Sequence, residues 1–203
     1  MTNEEFFEKY AGEGMVGLVG GTHFIDEGIK KAQRKITSDK KNSPFSHAFI
    51  IGEKRKDGKR WIIESDFEFQ KKQLRVGAQE NRIDKYFNEK AYPNLAVLDF
   101  KLSKQNGDLI LKESLDLVAG RATYSLREIW GIMLSFGSED KRKTENTFSR
   151  DNAFVCSTFV QHLYLKAGIQ FNEQVSLNHV TPQDIYNTGF PSCKKEVLVR
   201  TLK

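Results

Sequence analysis

The 203-residue chain contains no run of 18 or more apolar residues, so no transmembrane helix is expected. Its opening residues, Met1-Thr2-Asn3-Glu4-Glu5-Phe6-Phe7, are acidic and lack the basic and apolar regions of a signal peptide. The expected location of the chain as it stands is therefore the cytoplasm, although a trimmed exported form would read the same way. Cysteine is scarce. Two residues, Cys156 and Cys193, do not make a disulfide framework; they can pair, but a reduced compartment is the simpler expectation. There is no internal repeat, low-complexity tract or dividing linker, which predicts a single domain over residues 1–203, large enough for a proper core. The glycine-rich segment Gly14 to Gly21 lacks both the G-x-G-x-x-G pattern and a Lys-Ser/Thr ending, arguing against a phosphate loop. No metal-ligand spacing occurs, and neither a metal nor a cofactor is expected.

What is present is a soluble-type composition, 38% hydrophobic and 29% charged, with a net charge of +5. The positive charge sits in short runs such as Lys54-Arg55-Lys56, Lys71-Lys72 and Lys141-Arg142-Lys143. Solvated loops account for such runs, with attraction to an anionic substrate or a membrane surface as the alternative. No nucleic-acid-binding motif accompanies them, and nucleic acid is not an expected partner.

Periodicity predicts an α+β fold. Short helices are expected at Asn3 to Tyr10 and Ile25 to Ile36, and a short strand within Gly14 to Gly21. Phe45 to Gly52 and Trp61 to Phe67, rich in aromatic and β-branched residues, predict a hairpin around Asp57-Gly58. A helix is expected at Arg82 to Lys90, a strand at Asn94 to Leu102, and helices at Leu109 to Arg121 and Ser125 to Phe136. A polar loop, Gly137 to Arg150, precedes a helix opening near Cys156. Thr181-Pro182 starts another short helix, with proline at its first position, and Glu196 to Leu202 is read as a strand.

The segment Asn152-Ala153-Phe154-Val155-Cys156-Ser157-Thr158-Phe159-Val160 carries the chemistry. Phe159, Val160, Leu163 and Ala167 form an apolar stripe, Asp151 or Asn152 can cap the start, and Gly168 supplies a left-handed stop. A thiol in a first helical turn faces free N–H groups and the positive end of the dipole, which favours the nucleophilic thiolate. A buried, inert cysteine is the competing interpretation, so the question is whether the chain supplies a base. His162 lies on the same helix, roughly 9 Å along its axis and on the other side. His23 and His179 sit in expected loops. His47 opens the strand Ser46-His47-Ala48-Phe49-Ile50-Ile51, whose apolar surroundings hold a ring rigidly. With a tight two-residue turn at Asp57-Gly58, paired positions sum to 115, so Glu64, Asp66 and Glu68 share the face of His47, with Glu68 directly opposite. A carboxylate there fixes the imidazole tautomer and stabilises imidazolium. A wider turn or a bulge is needed to bring Glu64 closer, and pattern alone leaves the choice of acid open.

These residues resemble a known family. Phe154-Val155-Cys156-Ser157-Thr158-Phe159-Val160, with Tyr164 and Gly168-Ile169, looks like the catalytic helix of NlpC-type cysteine hydrolases. Ser46-His47-Ala48-Phe49-Ile50-Ile51-Gly52 and Trp61-Ile62-Ile63-Glu64-Ser65 resemble that family's histidine strand and the strand after it. Thr181-Pro182-Gln183-Asp184 resembles a Thr-Pro-x-Asp element beyond the helix. Because His47 precedes Cys156, the order is similar to the circularly permuted, YiiX- and YaeF-like branch of papain-like amidases, an order shared by lecithin retinol acyltransferase-like enzymes. The resemblance covers the hairpin, the cysteine helix and the Thr181 segment; the middle of the chain matches loosely.

The resemblance implies a papain-like fold of permuted topology, with Cys156 as nucleophile, His47 as general base and Glu64 as orienting acid. Asp66 and Glu68 remain alternative acids, and Tyr124 and Ser157 border the site. Ala48-Phe49 stands where the family has a small Val-Gly, which is expected to narrow the cleft. The implied activity is hydrolysis of an amide in a small peptide, of cell-wall or γ-glutamyl type, through a covalent acyl-enzyme. The alternatives are acyl transfer or thioester cleavage on a lipid-like substrate, with peripheral membrane contact, and a non-catalytic binding module.

Overall fold

The apolar runs Ala48-Phe49-Ile50-Ile51 and Leu95-Ala96-Val97-Leu98 have no polar alternation, as strands covered on both faces require. The computed structural model describes residues 1–70, 73–120 and 156–200, with the side chains of 67–70 and 73–76 outside that description. Its architecture is α+β. Six strands form one antiparallel sheet: β1 (Val16–Gly20), β2 (His47–Lys54), β3 (Arg60–Gln70), β4 (Gln73–Arg82), β5 (Asn94–Asp99) and β6 (Lys194–Val199). Their order across the sheet is β4-β3-β2-β1-β5-β6. Among the described residues the α-helices are α1 (Asn3–Tyr10), α2 (Phe24–Ala32), α3 (Lys104–Ala119), α4 (Cys156–Lys166) and α5 (Pro182–Asn187).

Successive strand residues alternate between two cores, as the period of two demands. Val16, Leu18, Ala48, Ile50, Ile63, Ala96 and Leu98 meet Ile110 of α3 and Phe159, Val160, Leu163 and Tyr164 of α4. Val19, Phe49, Ile51, Ile62, Leu95 and Val97 meet Phe6 and Phe7 of α1 together with Ile83 and Tyr86. His47, at the start of β2, is in phase with Phe49 and Ile51. Gly17 is required by this second face: it pairs with Phe49, and a Cβ there would lie 2.2 Å from the Phe49 ring.

Three expectations are corrected. First, the stretch after Phe67 holds a full strand, β4, and Ile83–Tyr86 forms a 3-10 turn in place of the helix expected at Arg82 to Lys90. Second, α3 begins at Lys104, because the Ser103 hydroxyl accepts a hydrogen bond from the Asn106 N–H at 3.2 Å and caps the helix there. Third, the hairpin is not closed by two residues. Arg55 N–H donates to Lys59 O and Gly58 N–H to Arg55 O, both at 2.9 Å, with Gly58 at φ 74°, so the loop is Lys56-Asp57-Gly58. A further irregularity lies between Ile51 and Lys54, where Lys54 pairs with Arg60 but Ile51 with Ile62. The expected helix at Ser125 to Phe136, the loop at Gly137 to Arg150, the cap at Asp151 or Asn152, and Tyr124 all lie outside the described residues.

Candidate active site

The two irregularities in the hairpin decide which acid meets the histidine. Each shifts the pairing by one residue, so the side chains stay on the same face while the partner of His47 moves by two. Carried on from Ile50↔Ile63, the register sets Asp66 opposite His47 and Glu64 opposite Phe49. From that diagonal position Glu64 reaches the ring: His47 Nε2 and Glu64 Oε2 are 2.8 Å apart. Glu68, expected directly opposite, is displaced by the register, and its side chain lies outside the described residues.

Glu64 is fully buried, and all its bonding partners are donors. Besides His47, Oε2 accepts from the Tyr86 hydroxyl at 2.6 Å, and Oε1 accepts from Asn81 Nδ2 at 2.7 Å and Lys85 Nζ at 2.8 Å. Burial alone would raise the carboxyl pKa, but the Lys85 ammonium and the His47 hydrogen bond outweigh it, and the group is held well below its ordinary range. Lys85 is pushed up in turn, because Glu64 and Asp66 overcome its own desolvation. Burial and the Glu64 charge push the Tyr86 phenol well above its usual pKa, which keeps it a donor.

The donor set also bears on metal binding. Ligand atoms of His47, Glu64 and Asp66 lie within 4.8 Å of one another, a spacing that can hold a cation. Lys85 Nζ already supplies that cation, bridging Glu64 Oε1 and Asp66 Oδ2 at 2.8 and 2.9 Å. The cluster is therefore charge-compensated by the chain itself.

On its other side, the His47 ring lies near Cys156, close enough for that group to act on its pKa. Because Nε2 faces Glu64, Nδ1 is the nitrogen left for the sulfur. Burial works against the imidazolium, yet the charges of Cys156 and Asp66 and the hydrogen bonds to Cys156 and Glu64 prevail. The His47 pKa is raised well above 6.5. Cys156 is half-buried and unpaired to Cys193, which stands as a second free cysteine whose thiol pKa burial pushes up. Phe49 does not narrow a cleft, contrary to expectation: its ring is fully buried over Gly17 and stacks on Tyr86 at 5.1 Å and 13°. It supports the phenol that holds Glu64.

Cys156 is positioned from below. Ser157 is buried and its hydroxyl donates to Val180 O at 2.7 Å, so that proton is committed to the backbone rather than offered to a ligand. Val180 leads into Thr181, whose capping box with Asp184 fixes the start of α5: Asp184 N–H donates to Thr181 Oγ1, and Asp184 Oδ2 accepts from Thr181 N–H at 2.8 Å. The Thr-Pro-x-Asp segment thus ties down the first turn of α4. His162 sits half-buried about 1.7 turns further along the helix, and its pKa is lowered by burial and by Lys166. His23 is exposed before α2, and His179 is buried in a 3-10 turn.

No protein-family model matches this chain, and no curated protein is significantly similar to it. The site therefore rests on its own geometry. Sequence reasoning missed Asn81, Lys85 and Tyr86. A buried carboxylate calls for a cation, but with 32 lysines and arginines in the chain nothing local singled out Lys85. A separate cleft lined by Met15, Phe100, Lys101, Ser103, Leu111 and Tyr164 contains none of the three candidate residues. Its Tyr164 lies about 12 Å along α4 from Cys156.

Proposed function

We propose that this protein is a thiol hydrolase on a papain-like fold of permuted order, with Cys156 as nucleophile, His47 as general base and Glu64 as the acid that orients it. The observation that carries this reading is the 2.8 Å pair between Glu64 and Nε2 of His47, with Cys156 near the same ring and Glu64 held ionised by Lys85. A neighbouring carboxylate that stays charged favours imidazolium, and imidazolium beside a thiol favours thiolate.

In the reaction, His47 Nδ1 takes the Cys156 proton and the sulfur attacks a carbonyl carbon. The carbon–nitrogen bond of an amide then breaks, with the proton on His47 passing to the departing amine, and an acyl-thioester remains on Cys156. Water adds to that thioester, giving a proton to His47, and the acid product leaves as the thiol is restored. The Cys156 backbone N–H, at the start of α4, would donate to the oxyanion. The substrate class that fits is an amide of a small peptide.

A panel of small peptide amides and acyl thioesters, followed by mass spectrometry of the protein, tests the reading. One substrate should leave its acyl mass on the peptide containing Cys156, and Cys156→Ala should abolish turnover. Retained turnover in Cys156→Ala would sink the thiol mechanism.

A further inference from the structure

Helix α2 exposes the first two residues of its apolar arc and buries part of its polar one. On a 100° wheel, Phe24, Ile25, Gly28, Ile29 and Ala32 share one arc, and Asp26, Lys30 and Gln33 the opposite one. In a helix packed on a core the first arc would be hidden. Here Phe24 is 89% and Ile25 49% exposed, whereas Lys30 and Gln33 are buried at 8% and 0%. The polar arc is satisfied inward. Gln33 Nε2 donates to Phe45 O at 2.9 Å and its Oε1 accepts from Gln183 N–H at 2.8 Å, while Lys30 Nζ pairs with Glu27. Asp26 Oδ1 accepts from the Ser46 hydroxyl at 2.6 Å. Three of these bonds tie the segment to the body, and they leave Phe24 and Ile25, at the start of the apolar arc, pointing outward while Gly28, Ile29 and Ala32 are half-buried.

The border of that arc is basic. Lys31 and Lys35 lie beside Phe24 on the wheel, and Arg34, Lys40 and Lys41 are exposed in the turn that follows. Residues 24–41 carry six basic groups against three acidic ones. An exposed apolar wedge rimmed by long cationic side chains matches a lipid surface in both respects: the rings enter the headgroup–acyl boundary, and the cations reach anionic headgroups.

We propose that α2 docks this protein on an anionic lipid surface through Phe24 and Ile25, with Lys31, Arg34 and Lys35 on the headgroups. The place is not remote from the chemistry. Asp26 and Gln33 clamp α2 to Ser46 and Phe45, the two residues before His47, and Gly21 N–H donates to the same Ser46 hydroxyl at 3.1 Å. A consequence, which rests on the proposed thiol mechanism, is that the small peptide amide attacked is carried on an amphiphile resident in that surface.

Co-sedimentation with vesicles tests the docking without any turnover readout, so its failure is separate from failure of the mechanism. The full chain should bind vesicles of phosphatidylcholine with about a third phosphatidylglycerol at least tenfold more tightly than pure phosphatidylcholine, and lose binding as salt rises. Phe24→Ser/Ile25→Ser should weaken binding by on the order of tenfold or more, and Lys31→Glu/Lys35→Glu should remove the preference for the anionic lipid. Both pairs lie on the surface, and an unchanged urea midpoint confirms that the fold is kept. No binding by the native chain, or binding unaffected by Phe24→Ser/Ile25→Ser, overturns the proposal. So does a concentration-dependent dimer that Phe24→Ser/Ile25→Ser abolishes in the absence of lipid binding, which assigns the face to a second copy.

Discussion

Replacing Lys85 by methionine isolates the charge that holds Glu64. The methionine keeps most of the aliphatic stem but removes the ammonium between Glu64 Oε1 and Asp66 Oδ2. Glu64 is then a carboxylate with no exposed surface, held only by the neutral donors Tyr86 and Asn81 and by His47. Breaking a buried ion pair from one side costs about 3–5 kcal/mol, and the three remaining donors put this site at the lower end. With a urea slope of about 2 kcal/mol per molar, a loss of about 3 kcal/mol moves the unfolding midpoint down by about 1.5 M at pH 7. The pH dependence carries the diagnosis. In the native protein the Glu64 pKa is depressed below its ordinary 4.5, so its contribution is present above that value and is lost as pH falls toward the folded pKa. In Lys85→Met the depression is relieved, so the deficit is largest at neutral pH and shrinks progressively below about 4.5, where the unfolded chain takes up a proton that native Glu64 does not. Urea titrations followed by tryptophan fluorescence from pH 3.5 to 8 read this directly. A deficit that stays constant across that range would mean that Lys85 contributes packing alone, and would refute the electrostatic account of Glu64. Lys85→Arg should recover most of the loss.

Tyr86→Phe deletes the 2.6 Å donor to Glu64 while leaving a ring to stack on Phe49. It should cost about 1–2 kcal/mol, seen as a fall in melting temperature of several degrees; an unchanged Tm would show that the phenol bond is dispensable. Gly17→Ala places a methyl where the Phe49 ring lies, 2.2 Å from its nearest atom. Overpacking of this kind costs about 1–3 kcal/mol. The measurement is the urea midpoint, and Gly17→Ala combined with Phe49→Leu should lose less than the sum of the two single changes.

Much of the sheet was legible in the sequence because its strands are apolar on both faces or alternate cleanly. Helix α1, β1, β2, β5 and α5 follow apolar periodicity, capping residues and Pro182 closely. β4 was not legible: Leu74, Val76 and Ala78 alternate, but Gly77 and the polar residues around them weaken the strand signal. His47, Glu64 and Asp66, grouped on one face by the alternation, do lie together, because two successive one-residue slips leave the face unchanged. The resemblance pointed to Glu64, but strand pattern alone left the choice among the acids open, since it depends on a three-residue loop at Gly58 and a bulge after Ile51 that pattern does not fix. The Lys85 bridge was hidden for a related reason: it comes from a 3-10 turn beyond a strand that had gone unseen. Helix α2 was read from its apolar spacing, but spacing gives the existence of an apolar arc and not the direction in which it points.

The central claim is that His47, oriented by Glu64, activates Cys156, and the rate of thiol alkylation measures it most directly. Cys193 serves as the internal reference, since burial raises its pKa. At pH 6.5 iodoacetamide should label Cys156 at least tenfold faster than Cys193, as expected when a cationic imidazole stabilises a thiolate, and His47→Ala should remove that advantage. Equal rates for the two thiols, or a Cys156 rate that His47→Ala leaves unchanged, would contradict the account.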